Sequence, residues 1–242
     1  MKPISMEMPD RLVADVDTLR HDYGRFFAEP LERGYGTTLG NALRRVLLAS
    51  LPGAAVTAVE IEGVPHEYTT VDGVVEDVVQ LVLNLKELRF NSTAERPHVC
   101  RIEHAGAGEI TAADIQCPAD IEVANPDQHI AYVDEGGSLI MNMTVETDHG
   151  FRAASYDDEA HRVIGAIPVD AIFSPVKRAN FTVEATRVGQ QTDFDRLVLD
   201  VWTDSTITPK EALTEAARIL TKHLEIFCDF DETYVEEIEE ES

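Results

Sequence analysis

No stretch of this 242-residue sequence stays apolar for the roughly 18 residues that a membrane-spanning helix needs. The first ten residues hold too many polar side chains and prolines for a secretory signal, so a cytoplasmic protein is expected. Cysteine is scarce. Cys100, Cys117 and Cys228 are odd in number and widely separated along the chain, which argues against a disulfide framework or a CxxC metal knuckle and for reduced, buried thiols. Basic charge is also short: 20 Lys and Arg stand against 45 Asp and Glu, for a net charge of -25. Nucleic-acid binding draws on clustered cations that release counterions from phosphate, and beyond the pairs Arg44–Arg45 and Lys177–Arg178 there is no cluster. Direct DNA contact by these residues is therefore not expected. The excess acid speaks to partners and solubility rather than fold, and it is also what keeps a protein hydrated in a salt-rich cytoplasm.

What is present is 44% hydrophobic residues, enough for one sizeable core or two smaller ones. Residues 55–62 and 140–146 largely alternate apolar with polar, as half-buried strands do. The turn Asp134-Glu135-Gly136-Gly137 between residues 130–133 and the strand at Ile140 predicts a hairpin. Residues 181–186 and 197–201 repeat the alternation with turn residues between them, so antiparallel sheet dominates. Three helices interrupt it. The first follows Gly34-Tyr35-Gly36, is expected to be capped by Thr37 or Thr38, and stops at Pro52-Gly53. Helical spacing puts Leu39, Ala42, Leu43, Val46 and Leu47 on one face, with Asn41, Arg44, Arg45 and Leu48 outward on the other. The second is expected over residues 74–88 behind Asp72, burying Val75, Val78, Val79, Val82 and Leu83. The third opens on the capping box Thr208-Pro209-Lys210-Glu211 and spaces Leu213, Ala217, Leu220, Leu224 and Phe227 as the seam of a helix pair.

That seam fits a two-chain core and packing on the chain's own sheet equally well. On the first helix, Leu48 ringed by Asn41, Arg44 and Arg45 is an apolar centre among donors, a pattern suited to a protein partner, although a lone exposed leucine is ordinary. The glycines of residues 34–40 miss the dinucleotide fingerprint by one position and lack the Gly-Lys-Ser/Thr of a P-loop, so they are read as a tight turn into a helix. His66-Glu67 lacks a second histidine, and His98, Cys100, His104 and Cys117 do not match metal spacings, so no metal and no cofactor is expected. Asp157, Asp158, Glu159 and His161 form an acidic loop, and residues 229–242 an acidic tail with eight carboxylates and no cation. A nucleotide- or metal-using enzyme built on the glycine turn or the acidic loop is the rival class, and an acidic solubility or storage protein a third.

The run from Glu29 to Arg45 (Glu-Pro-Leu-Glu-Arg-Gly-Tyr-Gly-Thr-Thr-Leu-Gly-Asn-Ala-Leu-Arg-Arg) resembles the N-terminal domain of the alpha subunit of bacterial RNA polymerase. The likeness continues through residues 59–68, 83–86, 111–115, 174–176 and 183–193, and so covers most of the chain. The resemblance implies an α+β fold of mostly antiparallel sheet. Residues 1–52 and 176–235 would form a discontinuous dimerisation domain, 53–175 an inserted second α+β domain, and 236–242 an acidic linker or tail. It implies a non-catalytic subunit whose first and third helices form the homodimer interface, through Leu39, Leu43, Leu47, Leu213, Ala217, Leu220, Leu224 and Phe227. It further implies contact with the beta subunit through Arg33, Asn41, Arg44, Arg45, Leu48, His66 and Lys86, and with beta-prime through Lys177, Arg178, Asn180 and Asp200. Transcription activators are a further partner class. Family members usually carry a C-terminal DNA-binding domain, and this sequence stops in its acidic tail, so either a truncated chain or a shorter natural one is expected.

Overall fold

The computed structural model describes residues 7–94, 96–155, 165–188 and 191–228. The acidic loop around Asp157, Asp158, Glu159 and His161 and the acidic tail lie outside the described residues. In chain order the elements are β1 (Val13–Ala14), β2 (Tyr23–Glu32), α1 (Tyr35–Ala49), β3 (Pro52–Ile61), α2 (Val78–Lys86), β4 (Phe90–Ser92), β5 (His98–Ala105) and β6 (Gly108–Thr111). They continue as β7 (Ile121–Val123), β8 (His129–Val133), β9 (Ser138–His149), β10 (Phe151–Arg152), β11 (Ile167–Pro168), β12 (Ala171–Ile172), β13 (Val176–Val188), β14 (Gln191–Thr203) and α3 (Pro209–Glu225). All the pairings between these strands are antiparallel, and the protein is an α+β fold of mostly antiparallel sheet.

Among the described residues two main hydrophobic cores form, beside a small cluster of Ala55, Ala171 and Phe173, because the two larger sheets each need an apolar face covered. The larger core gathers residues 56 to 169 around the sheet β5-β9-β3-β4-β7, with α2 laid against it. The smaller draws on both flanks of that segment: Phe26, Leu47 and Leu51 from one side, and Val176, Leu199, Val201, Ala212, Leu213 and Ala216 from the other. Its sheet runs β1-β2-β14-β13, and α1 and α3 cover one face. Strands β13 and β14, whose alternation predicts two strands, pair antiparallel, with Phe181 opposite Leu199 and Leu199 opposite Phe26 on the helix-covered side.

Several local expectations give way to tertiary context. Residues 130–133 and the strand at Ile140 do not pair. The turn does close, Gly137 N donating to Asp134 O at 3.0 Å, but β8 pairs with β6 while β9 pairs with β5 and β3. Thr37 and Thr38 sit inside α1 rather than capping it: Gly34 is the cap residue at φ 92°, and Asp195 of β14 accepts from Gly34 N (2.8 Å) and Gly36 N (3.2 Å). A carboxylate from another element thus satisfies the cap amide and one free amide of the first turn. Helix α2 starts at Val78 behind Asp77, which accepts from Gln80 N. It buries Val78, Leu81 and Leu85 and leaves Val79 and Leu83 exposed; Val75, ahead of the helix, is exposed too. Apolar residues surround this helix, so periodicity alone cannot say which stripe faces in. Strand β3 is covered on both faces over residues 55–59, not half-buried.

Candidate functional site

Helix α1 reaches its sheet through two glycines. A Cβ on Gly40 would lie 2.5 Å from the Phe181 ring, and one on Gly36 would lie 2.8 Å from Val183 Cγ1, so only glycine lets the helix backbone settle onto β13. This seating turns the Leu39 stripe toward α3. Between the two helices, over β2 and β14, lies an open apolar groove of about 750 Å³ lined by Leu12, Phe26, Leu39, Leu43, Leu197, Leu199, Leu213 and Ala217.

Helix α3 begins well anchored and then outruns the sheet. Thr208 and Glu211 close the capping box, and Pro209, Ala212, Leu213 and Ala216 are buried. From residue 221 to 228, the end of the described segment, every position is exposed, with Leu224 at 53% and Phe227 at 78%. The eight residues expected at a dimer interface therefore divide. Leu47 and Leu213 are sealed in the chain's own core, which is a correction for Leu47, since it does not line the groove. Leu39, Leu43 and Leu220 are half-buried, while Ala217, Leu224 and Phe227 are exposed.

On the far side of α1, Arg33, Asn41, Arg44 and Arg45 are exposed as expected. Leu48 is not: it is half-buried and packs against the smaller core. The glycine seating explains the difference, because rotating α1 onto β13 brings Arg44 and Leu48 to the sheet edge, where Arg44 Nε donates to Ala179 O at 3.1 Å. His66 is exposed, and Lys86 at the end of α2 is half-buried with Nζ 3.0 Å from Asp170.

The uncovered face of the smaller sheet carries Lys177, Arg178 and Asn180, all exposed. The Arg178 guanidinium lies over the Trp202 ring at 4.6 Å, and Trp202 in turn lies 5.0 Å from Tyr23. Asp200, expected as a surface contact, is buried. It accepts from Tyr23 Oη at 2.6 Å and from Arg25 Nε at 2.7 Å, so on this face it is covered by the neighbours it orders. Burial pushes its carboxyl up, but hydrogen bonds from Arg25 and Tyr23 and the charges of Arg25 and Arg178 hold it below the ordinary value. The larger core adds a polar latch. Glu76 accepts from Tyr132 N at 2.8 Å and meets His129 Nε2 at 2.9 Å, and His129 Nδ1 meets Glu109 at 2.8 Å.

A sequence profile described as the RNA polymerase Rpb3/RpoA insert domain matches residues 59–174, the stretch that supplies most of the larger core. The DNA-directed RNA polymerase subunit alpha of Carboxydothermus hydrogenoformans is 54% identical over 218 residues, covering 90% of this chain and 70% of that protein. The same subunit of Symbiobacterium thermophilum is 51% identical, over 95% of this chain and 72% of its own length. The chain belongs to the bacterial RNA polymerase alpha-subunit family. A relative from Rhodopirellula baltica, 48% identical over 94% of this chain, carries the same name.

In this alpha-family chain the sequence reading missed Tyr23, Arg25 and Trp202. They join Arg178 and Asn180 only through register, Asn180 opposite Asp200 opposite Arg25, and Arg178 opposite Trp202 opposite Tyr23. The exposed apolar edge of α2 was missed as well, and the one signal that could have found it is the excess of apolar residues over what a single face can bury. Among the described residues, no helix is long and apolar enough to cross a membrane.

Proposed function

We propose that this chain is the non-catalytic assembly platform of a DNA-directed RNA polymerase. Two copies dimerise, each inserting the protruding end of α3 into the groove between α1 and α3 of the other. The observation that carries this reading is the match between an unfilled apolar groove and an apolar helix end that outruns its own sheet. The dimerisation unit comprises residues 1–52 and 176–235, and residues 53–175 form the inserted unit; the two separate cores support that division. The assembled dimer meets the beta subunit through Arg33, Asn41, Arg45 and the flank of Arg44 and Leu48, with His66 and Lys86. It meets beta-prime through Lys177, Arg178 and Asn180, around the frame that Asp200 orders. The phosphodiester chemistry belongs to the large subunits, and the protein works in the cytoplasm, held at the nucleoid through the polymerase.

Leu224→Asp places a carboxylate in the seam at a cost of several kcal/mol, so sedimentation should show a monomer; a dimer that survives removes the α3 seam. In the same preparation Arg45→Ala should keep the dimer yet retain less beta subunit in a pull-down. Unchanged capture would move the beta contact off this face of α1.

A further inference from the structure

Arg101 of β5 and Gln116 exchange both backbone hydrogen bonds, Arg101 N to Gln116 O at 2.9 Å and Gln116 N to Arg101 O at 2.8 Å, in an antiparallel bridge. A pair that exchanges both bonds is flanked by non-hydrogen-bonded pairs, whose Cα atoms lie roughly 4.5 Å apart with side chains on a common face. One step from the bridge, that pair is Cys100 and Cys117. The spacing falls within the roughly 4.4–6.8 Å that disulfides span. Both side chains turn to the larger core: Cys100 is fully buried in it, and Cys117 is partly exposed and packed against it. Far apart in sequence, these two cysteines are direct neighbours in the fold.

We propose that Cys100 and Cys117 are a redox-active dithiol that closes to an intramolecular disulfide when the chain meets a low-molecular-weight disulfide. Cys117, the partly exposed member of the pair, attacks as thiolate, forming a mixed disulfide and releasing one small thiolate. Cys100 then loses its proton to water and its thiolate attacks Cys117 sulfur, forming the Cys100–Cys117 bond and releasing the second small thiolate. The protein gives up two electrons and two protons, and the small disulfide is reduced to two thiols. The difference in exposure sets that order, and the electrostatics agree with it. A hydrogen bond from Cys100 holds the Cys117 thiol below its ordinary value against the opposing effect of burial. The same bond, then burial, then the charge of Cys117, push Cys100 far up. Once Cys117 is in the mixed disulfide, the first and last of those causes are gone, and the resolving thiol ionises more readily. The closed bond would tie β5 to the segment after β6 across a long loop of sequence.

The test uses the whole chain carrying Cys228→Ser, which removes the exposed third thiol. Treatment of the folded protein with oxidised glutathione should remove both remaining thiols together and yield a linked Cys100–Cys117 peptide pair without retained glutathione. The melting temperature should rise, on the order of 5–10 °C, because the bond restricts the unfolded chain. Cys100→Ala should trap glutathione on Cys117, and Cys117→Ser should leave Cys100 unmodified. A persistent glutathione adduct in the protein with both cysteines would overturn the proposal. So would survival of both thiols, or a linked pair that forms only after denaturation.

Discussion

Nδ1 of His129 lies 2.8 Å from Glu109 and Nε2 lies 2.9 Å from Glu76, so an imidazolium is met by a carboxylate on each side while a neutral ring can donate to only one. The hydrogen bond to Glu76 and then that to Glu109 raise the His129 pKa, and burial only partly offsets them. Because the folded value stands above the unfolded value of about 6.5, the latch contributes its full stability below that pH and loses it as pH rises through the folded value. His129 is about 40% exposed, so solvent screens the effect and the contribution is modest. His129→Gln should lower the melting temperature most near the unfolded value of about 6.5 and below, and the gap to the parent protein should narrow as pH rises through the folded value. A gap independent of pH would show that packing, not the charged latch, is what the substitution removes. Asp200 illustrates the same scale from the other side, since a carboxylate expected to meet a partner is consumed in positioning Tyr23 and Arg25.

At the scale of elements, the seating of α1 on β13 decides what the helix can show to anything else. Gly40→Val would drive a branched side chain into the Phe181 ring, which is half-buried and packed against the smaller core. Overpacking of this kind costs about 1–3 kcal/mol. It should appear as a lower denaturant midpoint with an unchanged slope. A variant as stable as the parent would mean that α1 does not depend on this close approach. The amphipathic pattern of α1 was legible from residues 39–47, but the rotation that half-buries Leu48 was not, because it depends on Phe181 and Val183 more than 130 positions away. Helix α2 makes the complementary point. Its residues are apolar on more than one side, so the choice of Val78, Leu81 and Leu85 over Val79 and Leu83 was made by the sheet beneath it.

For the whole molecule, the balance of association changes once burial is known. Leu213 already sits in the monomer core and Leu220 is half-buried, so a partner copy has Leu224, Phe227 and part of Leu220 left to cover. At about 1.5–3 kcal/mol per side chain, two copies gain about 8–15 kcal/mol gross. That is comparable with the roughly 4–15 kcal/mol cost of association, so removing one seam leucine should be enough to tip the balance. This is why Leu224→Asp is the informative change, while the same substitution at Leu213 would report on monomer folding. Composition and periodicity determined by themselves that the chain is mostly antiparallel sheet, that a capping box opens its last helix, and that two helices carry apolar stripes. Those features depend on interactions between residues near in sequence, where spacing and side-chain chemistry suffice. Only the tertiary structure decided that β8 and β9 part company, that Asp195 caps α1, that Tyr23 and Arg25 cover Asp200, and that Cys100 meets Cys117. Each of these rests on strand register and helix rotation, which are set by packing between segments far apart in the chain.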